Sequence, residues 1–216
     1  SEGAGGGSFD AGGFVDGYTP THWDMIMTRV RTTGIIQVDI EDKPTGCIFR
    51  VVDVGGQRNE RRKWVHCFSD ASVVVFCINL NGYNAVMYET PVKWRMEEAL
   101  ELLKNTAAEP ALAAVPFVIA LNKLDAFSAA LKHTPLQDRF PEYVPLDDAE
   151  ATDDAKARHA AAFVEQLARA RVAEARGEEA GKKVPVITMS ATEEEAVTQA
   201  YSTFKGVATH EIPGGI

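Results

Sequence analysis

Cys47-Ile48-Phe49-Arg50-Val51-Val52, followed without a break by Asp53-Val54-Gly55-Gly56-Gln57-Arg58, is the stretch from which the rest of the chain can be read. A mostly apolar run of this length reads as a strand, and a carboxylate at its end followed by two glycines makes a turn where backbone can approach a ligand closely. The Asp53 carboxylate is then placed to face a magnesium ion, the bare glycine backbone to offer an N–H to a phosphate, and the Gln57 amide to stand beside the same group. Hydrolysis of a nucleoside triphosphate is the chemistry that uses such a set.

Upstream, Gly34-Ile35-Ile36-Gln37-Val38-Asp39-Ile40 alternates apolar and polar residues, and Glu41-Asp42-Lys43-Pro44-Thr45-Gly46 supplies a turn, so 34–52 predicts an antiparallel hairpin. Downstream, 73–80, 116–121 and 184–189 are short apolar runs separated by helical stretches, the pattern of buried parallel strands. Thr90 and Pro91 predict a helix start, with Val92, Met96, Ala99, Leu100 and Leu103 as its apolar stripe. A shorter charged helix is expected over 60–68, and the alanine-rich 147–176 reads as one long or two stacked helices with Phe163, Val164 and Leu167 inward. Thr192-Glu193-Glu194-Glu195 reads as a capping box before a last helix that buries Val197, Ala200, Tyr201 and Phe204. The fold class is α/β. Residues 1–17 are glycine-rich and expected to be flexible, 18–209 to form the domain, and 210–216 to fray.

A chain of 216 residues with 45% hydrophobic and 25% charged content suffices for one domain with a sizeable core. The net charge of −9 argues against nucleic acid as a general partner, since little here would neutralise a phosphate backbone. Cys47, Cys67 and Cys77 lie in or beside apolar runs without metal-like spacing and read as reduced thiols. The longest apolar run, 73–78, is too short to span a bilayer, and no secretion signal opens the sequence. The first residue is Ser1 rather than Met, so the sequence is read as a fragment, and lipid attachment at a true N-terminus is left open.

Asn122-Lys123-Leu124-Asp125 follows the run 117–121, at the carboxyl end of a strand where doubly wound sheets bind ligands. A carboxylate at Asp125 can accept hydrogen bonds from the N1–H and exocyclic amine of guanine, worth roughly 1–3 kcal/mol of discrimination by analogy with base readout in nucleic acids. The stem of Lys123 can cover a face of the base, and Asn122 can brace neighbouring loops. Each residue also has a plainer reading taken singly: a solvated loop for 122–125, a surface charge for Arg29, a strand-start hydroxyl for Thr32, a turn residue for Gln57, a packing indole for Trp64.

Arg29-Val30-Arg31-Thr32-Thr33-Gly34, Asp53 to Gln57, Glu60-Arg61-Arg62-Lys63-Trp64, Asn122 to Asp125 and Ser190-Ala191-Thr192 occur in one order, and together the chain resembles heterotrimeric G-protein alpha subunits from about Tyr18 to Phe204. The resemblance implies a three-layer, P-loop NTPase-like (Ras-like) sheet with helices on both faces. It implies GTP or GDP bound with Mg²⁺, contacted by Ile26, Met27, Thr28, Arg29, Thr32, Asp53, Val54, Gly55, Gly56, Gln57, Asn122, Lys123, Leu124, Asp125 and Ala191. Arg29 would neutralise charge on the transferred phosphoryl group, Gln57 would orient the attacking water, and Thr32 and Asp53 would hold the metal. Gly56 would sense the terminal phosphate, and the segment carrying Trp64 would meet a beta-gamma complex or a downstream effector according to the nucleotide. The implied setting is cytoplasmic, at the inner face of the plasma membrane within a heterotrimer, coupled to a G-protein-coupled receptor. A small GTPase of the ADP-ribosylation-factor type shares Asp-x-Gly-Gly-Gln but lacks an arginine placed as Arg29 is.

The phosphate-binding loop, Gly-x-x-x-x-Gly-Lys followed by Ser or Thr, occurs nowhere in the sequence, nor does the strand expected before it. Gly3-Ala4-Gly5-Gly6-Gly7-Ser8 lacks the lysine and the following helix. Losing about three charge-assisted hydrogen bonds would remove ~6 kcal/mol of nucleotide affinity, roughly four orders of magnitude. The lost strand should leave an unpaired edge at Val51 and Val52. The alternative is a catalytically degenerate interaction module without turnover.

Overall fold

The computed structural model describes residues 18–28, 32–87, 90 and 92–214. The hairpin forms as expected: β1 (Ile35–Asp42) pairs antiparallel with β2 (Cys47–Val54), with Val38 opposite Val51 and Ile40 opposite Phe49. Asp42 closes the turn by accepting from the N–H groups of Thr45 (3.1 Å) and Gly46 (2.8 Å), and Gly46 takes a φ of 71° that favours glycine. A separate three-stranded parallel sheet runs in the order β3 (Val74–Asn79), β4 (Phe117–Asn122), β5 (Val186–Met189). The α/β class holds, but the sheet comes in two pieces.

Helices lie on both faces of the parallel sheet. On one, α4 (Arg95–Ala107), α5 (Leu124–Leu131) and α6 (Asp153–Arg176) surround Phe117, Ile119 and Leu121 in the main core. On the other, α8 (Glu194–Ala208) sets Ala200 against Ala120 and Met189. β4 is buried on both sides because its residues alternate between these layers, each aliphatic side chain contributing about 1.5–3 kcal/mol. α8 also carries the hairpin: Tyr201 meets Phe49 edge to face at 6.2 Å, and Lys205 Nζ lies 2.8 Å from Asp42.

Several local expectations give way to tertiary contacts. The segment 60–68 is two short helices, α2 (Arg58–Arg61) and α3 (Val65–Phe68), because Lys63 and Trp64 make three-residue turns onto Glu60 and Arg61. α4 begins at Arg95 rather than at Thr90 and Pro91; Pro91 lies outside the described residues, and Val92 is 88% exposed instead of joining the stripe of Met96, Leu100 and Leu103. α6 starts after Thr152, whose hydroxyl accepts from Ala155 N–H at 3.2 Å. α8 begins at Glu194 with Glu193 at its cap, so Thr192 does not cap it, and Val197 stays 42% exposed.

Two further elements were not expected. Tyr18 to Thr28 folds on itself around α1 (His22–Met27), where Thr21 and Asp24 form a reciprocal capping box and Tyr18 bonds Asp24. Residues 210–214, expected to fray, fold back: Glu211 and Ile212 N–H groups reach Gly206 O, and Gly214 O accepts from Phe117 N–H at 2.8 Å. α7 (Glu178–Lys183) packs on α6, and Arg176 at the end of α6 lies over the Phe117 ring while donating to the carbonyls of Ala107, Leu112 and Val115.

Candidate functional site

The carboxyl ends of the strands share one edge, since Asn79 pairs with Asn122 and Asn122 with Met189. At this edge Asn122 Oδ1 accepts from the N–H of Lys123 (2.7 Å) and from that of Ala191 (3.0 Å). The hydroxyl of Ser190 accepts from Asp125 N–H at 3.1 Å. Two loops far apart in sequence are thereby locked together, as expected of Asn122. Lys123 adopts a left-handed conformation, φ 68°, uncommon for a side-chain-bearing residue, and starts α5 so that Leu124 is buried while Asp125 sits in its first turn. The Ala191 N–H, which the resemblance offers to a guanine carbonyl, is engaged by Asn122, so a base must compete for it.

At the end of β2, Thr32 Oγ1 donates to Asp53 Oδ2 at 3.1 Å, bringing together the two residues implied as metal ligands. A hydroxyl beside one exposed carboxylate fits Mg²⁺, which demands few protein ligands and keeps water and phosphate oxygens in its remaining positions. Thr32 and Asp53 would hold it. Among the described residues no group of three or more His, Cys, Asp or Glu gathers that would suit an all-protein cage.

The Gly55-Gly56 turn is held from outside. Trp64 Nε1–H donates to Gly55 O at 2.9 Å, Arg61 Nε–H donates to Gly56 O at 3.1 Å, and Gly55 N–H reaches Gly34 O at 3.3 Å. Glu60, nearly buried, accepts from Gly34 N–H at 2.9 Å and from Lys63 Nζ at 2.6 Å. A Cβ on Gly55 would lie 2.8 Å from Glu60 Cγ and 2.9 Å from Thr32 O, whereas one on Gly56 would meet nothing within 4 Å. Glycine at 55 is thus needed for packing, and glycine at 56 leaves space where a ligand can approach. Val54 is half-buried in β2, and the backbone carbonyl of Gln57 accepts from the N–H groups of Glu60 and Arg61, fixing the start of α2.

Glu98 on α4 anchors this turn to the main body. Its carboxylate receives Lys93 Nζ at 2.9 Å, Arg61 Nη1 at 2.8 Å and Arg58 Nη2 at 3.1 Å. Burial alone would raise its pKa, but the hydrogen bonds from Lys93, Arg61 and Arg58 hold it down at about 2. Glu98 is a neighbour of this turn that the sequence alone did not single out, and Glu60 and Ser190, quoted only as motif members, had no contact assigned to them: a glutamate on an amphipathic helix looks like any solvated charge until its partners are known. Of the residues implied to touch nucleotide, Ile26 and Met27 belong to α1 and Thr28 caps it, with their hydrogen bonds closing within 18–28. Arg29 lies outside the described residues.

The sequence pattern of the G-protein alpha subunit family matches residues 14–208. The chain belongs to the G-protein alpha subunit family. It is 47% identical over 128 residues to the guanine nucleotide-binding protein alpha-8 subunit of Dictyostelium discoideum, a match covering 59% of this chain and 31% of that relative. It is 41% identical over 126 residues to the alpha-7 subunit of Caenorhabditis elegans and 40% identical over 126 residues to the G(o) subunit alpha of Lymnaea stagnalis, each match covering 58% of this chain and 35% of the relative. The chain spans about a third of the length of these alpha subunits, and its fold is the mixed α/β arrangement of their Ras-like domain.

Proposed function

We propose that this chain carries the switch and base-recognition portion of an alpha subunit that binds GTP or GDP with Mg²⁺ and hydrolyses GTP when a phosphate loop is present. The observation that carries the reading is the Thr32–Asp53 contact at 3.1 Å, which places a hydroxyl and a carboxylate side by side at the end of a strand whose next turn has room at Gly56. Bound Mg²⁺ would neutralise phosphate charge there. Asp125 would accept from the guanine edge, Asn122 and Ser190 would keep its loop against that of Ala191, Gln57 would orient water, and Arg29 would stabilise charge on the transferred group.

The Glu98 cluster supports a switch. α2 is held to α4 by charge pairs rather than by a large apolar face, so a modest change at the Gly55-Gly56 turn can release it without disturbing the core. In the full protein this segment would exchange a beta-gamma complex for an effector and relay a signal from a G-protein-coupled receptor at the inner plasma membrane.

Titration with a fluorescent GTP analogue, with and without Mg²⁺, tests the reading on this chain. Submicromolar, Mg²⁺-dependent binding supports it and rejects a degenerate interaction module; absence of binding at millimolar nucleotide overturns it for this chain. In a version completed with a phosphate loop, Arg29→Ala should slow single-turnover hydrolysis about 10³-fold with little loss of binding, an effect established for alpha subunits as a class rather than deduced from this chain.

A further inference from the structure

Two carboxylates hold α2, and they serve different neighbours. Glu98 of α4 receives Arg58 and Arg61 and so ties α2 to the main body. Glu60 belongs to α2 itself and ties it to the segment before β1: its Oε2 accepts from Gly34 N–H at 2.9 Å and from Lys63 Nζ at 2.6 Å, with only 7% of the residue exposed. Gly34 is gripped a second time, since its carbonyl accepts from Gly55 N–H at 3.3 Å, and its φ of 79° favours glycine. The approach is close because Gly55 has no side chain: a Cβ there would lie 2.8 Å from Glu60 Cγ and 2.9 Å from Thr32 O. Four residues of helix therefore bridge α4 and 32–34, and two positions before Gly34 the Thr32 hydroxyl donates to Asp53.

We propose that Glu60 is a positioning residue that couples the pair Thr32 and Asp53 to the seating of α2 on α4. What this does for a metal rests on the reading of that pair given above; the mechanical link stands without it. With α2 seated on Glu98, Glu60 holds Gly34 and so keeps Thr32 beside Asp53. When α2 leaves Glu98 it carries Glu60 with it, Gly34 N–H loses its acceptor, and the segment bearing Thr32 is released. The link is reciprocal, because a ligand that keeps Thr32 against Asp53 also keeps Gly34 where Glu60 can reach it, and so favours the seated helix. A carboxylate suits this role: its bond to an N–H is shorter and stronger than a neutral one, and the low exposure of Glu60 limits competition from water. Lys63 shares the same oxygen, but its side chain is 43% exposed and it sits on the same short segment, so it balances charge rather than setting the position of Gly34.

Backbone amide hydrogen exchange, followed by NMR on this chain without nucleotide, tests the link. Glu60→Ala should speed exchange at Gly34 by about tenfold, with the Ile119 amide, bonded to Pro185 O inside the parallel sheet, unchanged as the mark of an intact fold. Glu60→Gln, which keeps an acceptor oxygen, should recover part of the protection, and Lys63→Ala should change Gly34 by less than about twofold. The deciding arm starts from the other end: Glu98→Gln, on a different helix, should speed exchange at Gly34 about threefold, and should add nothing when Glu60 is already alanine. A Glu60 that only stabilises its own helix would give additive effects instead. Unchanged exchange at Gly34 in Glu60→Ala or in Glu98→Gln, or a Glu98→Gln effect equally large with and without Glu60, would overturn the proposal. Should Glu60→Ala fail to fold, Glu98→Gln alone and combined with Glu60→Gln decides it by the same comparison. None of these measurements uses nucleotide, so a failed nucleotide titration beside the expected exchange pattern would reject the binding reading and leave the link in place.

Discussion

The parallel sheet and the hairpin both carry Ile, Val and Phe and ended in opposite environments. β4 has Phe117, Val118, Ile119 and Leu121 at 0% exposure, whereas in the hairpin Ile48 is 69% exposed and Val38 55%. The difference lies in neighbours: β4 has strands on both sides and helices above and below, while β2 has β1 on one side and touches α8 at one end. Hydrophobic residues specify that a strand should be buried, but burial requires a partner layer. Where the described residues supply no such layer, the Ile and Val side chains stay exposed. The region that carries Asp53 is therefore the less secured half of the molecule, tied to the rest through Glu98, Lys205 and Tyr201.

The sharpest way to break this comparison is to cut one side chain packed in the main core and one on the hairpin. Phe127→Ala, in the core against Tyr83, should cost about 3–5 kcal/mol in urea unfolding, while Val38→Ala should stay within about 0.5 kcal/mol. Equal losses would show that the hairpin is covered in solution. Next in size, Gly55→Ala should cost about 1–3 kcal/mol through the clash with Glu60 and Thr32, and Gly56→Ala should leave stability unchanged in the same measurement.

Glu98→Gln should lower stability at neutral pH by about 2 kcal/mol, because three cations lose a charged acceptor. It should also flatten the acid side of the stability profile. The folded carboxyl titrates at about 2 against an ordinary value of 4.5, so its contribution is complete above pH 4.5 and disappears as pH falls toward 2. A wild-type profile that is flat between those limits would remove Glu98 as the anchor. Smallest, Ser190→Ala should cost about 1 kcal/mol and loosen the 122–125 loop, seen as faster amide exchange at Asp125.

Much of the arrangement was legible in advance. The hairpin and the three parallel strands follow from hydrophobic period, and the bracing of neighbouring loops by Asn122 from its place at a strand end. Thr32 and Asp53, placed together by the resemblance, are in contact. The start of α4, the missing cap at Thr192 and the division of 60–68 into α2 and α3 were not legible, because helix limits are settled by which backbone groups find partners elsewhere: Trp64 bonds Gly55, and Glu193 rather than Thr192 takes the cap position of α8.

From the order of residues alone came the strand-forming runs, the alternation that marks the hairpin, and the acid, glycines and amide gathered at 53–57, since each depends on what stands within a few positions along the chain. Which carboxylate gathers three cations and which glycine is crowded came from the folded arrangement. Those properties depend on groups tens of residues apart, Arg58 and Glu98 or Ser190 and Asp125, and no local pattern records that such groups will meet.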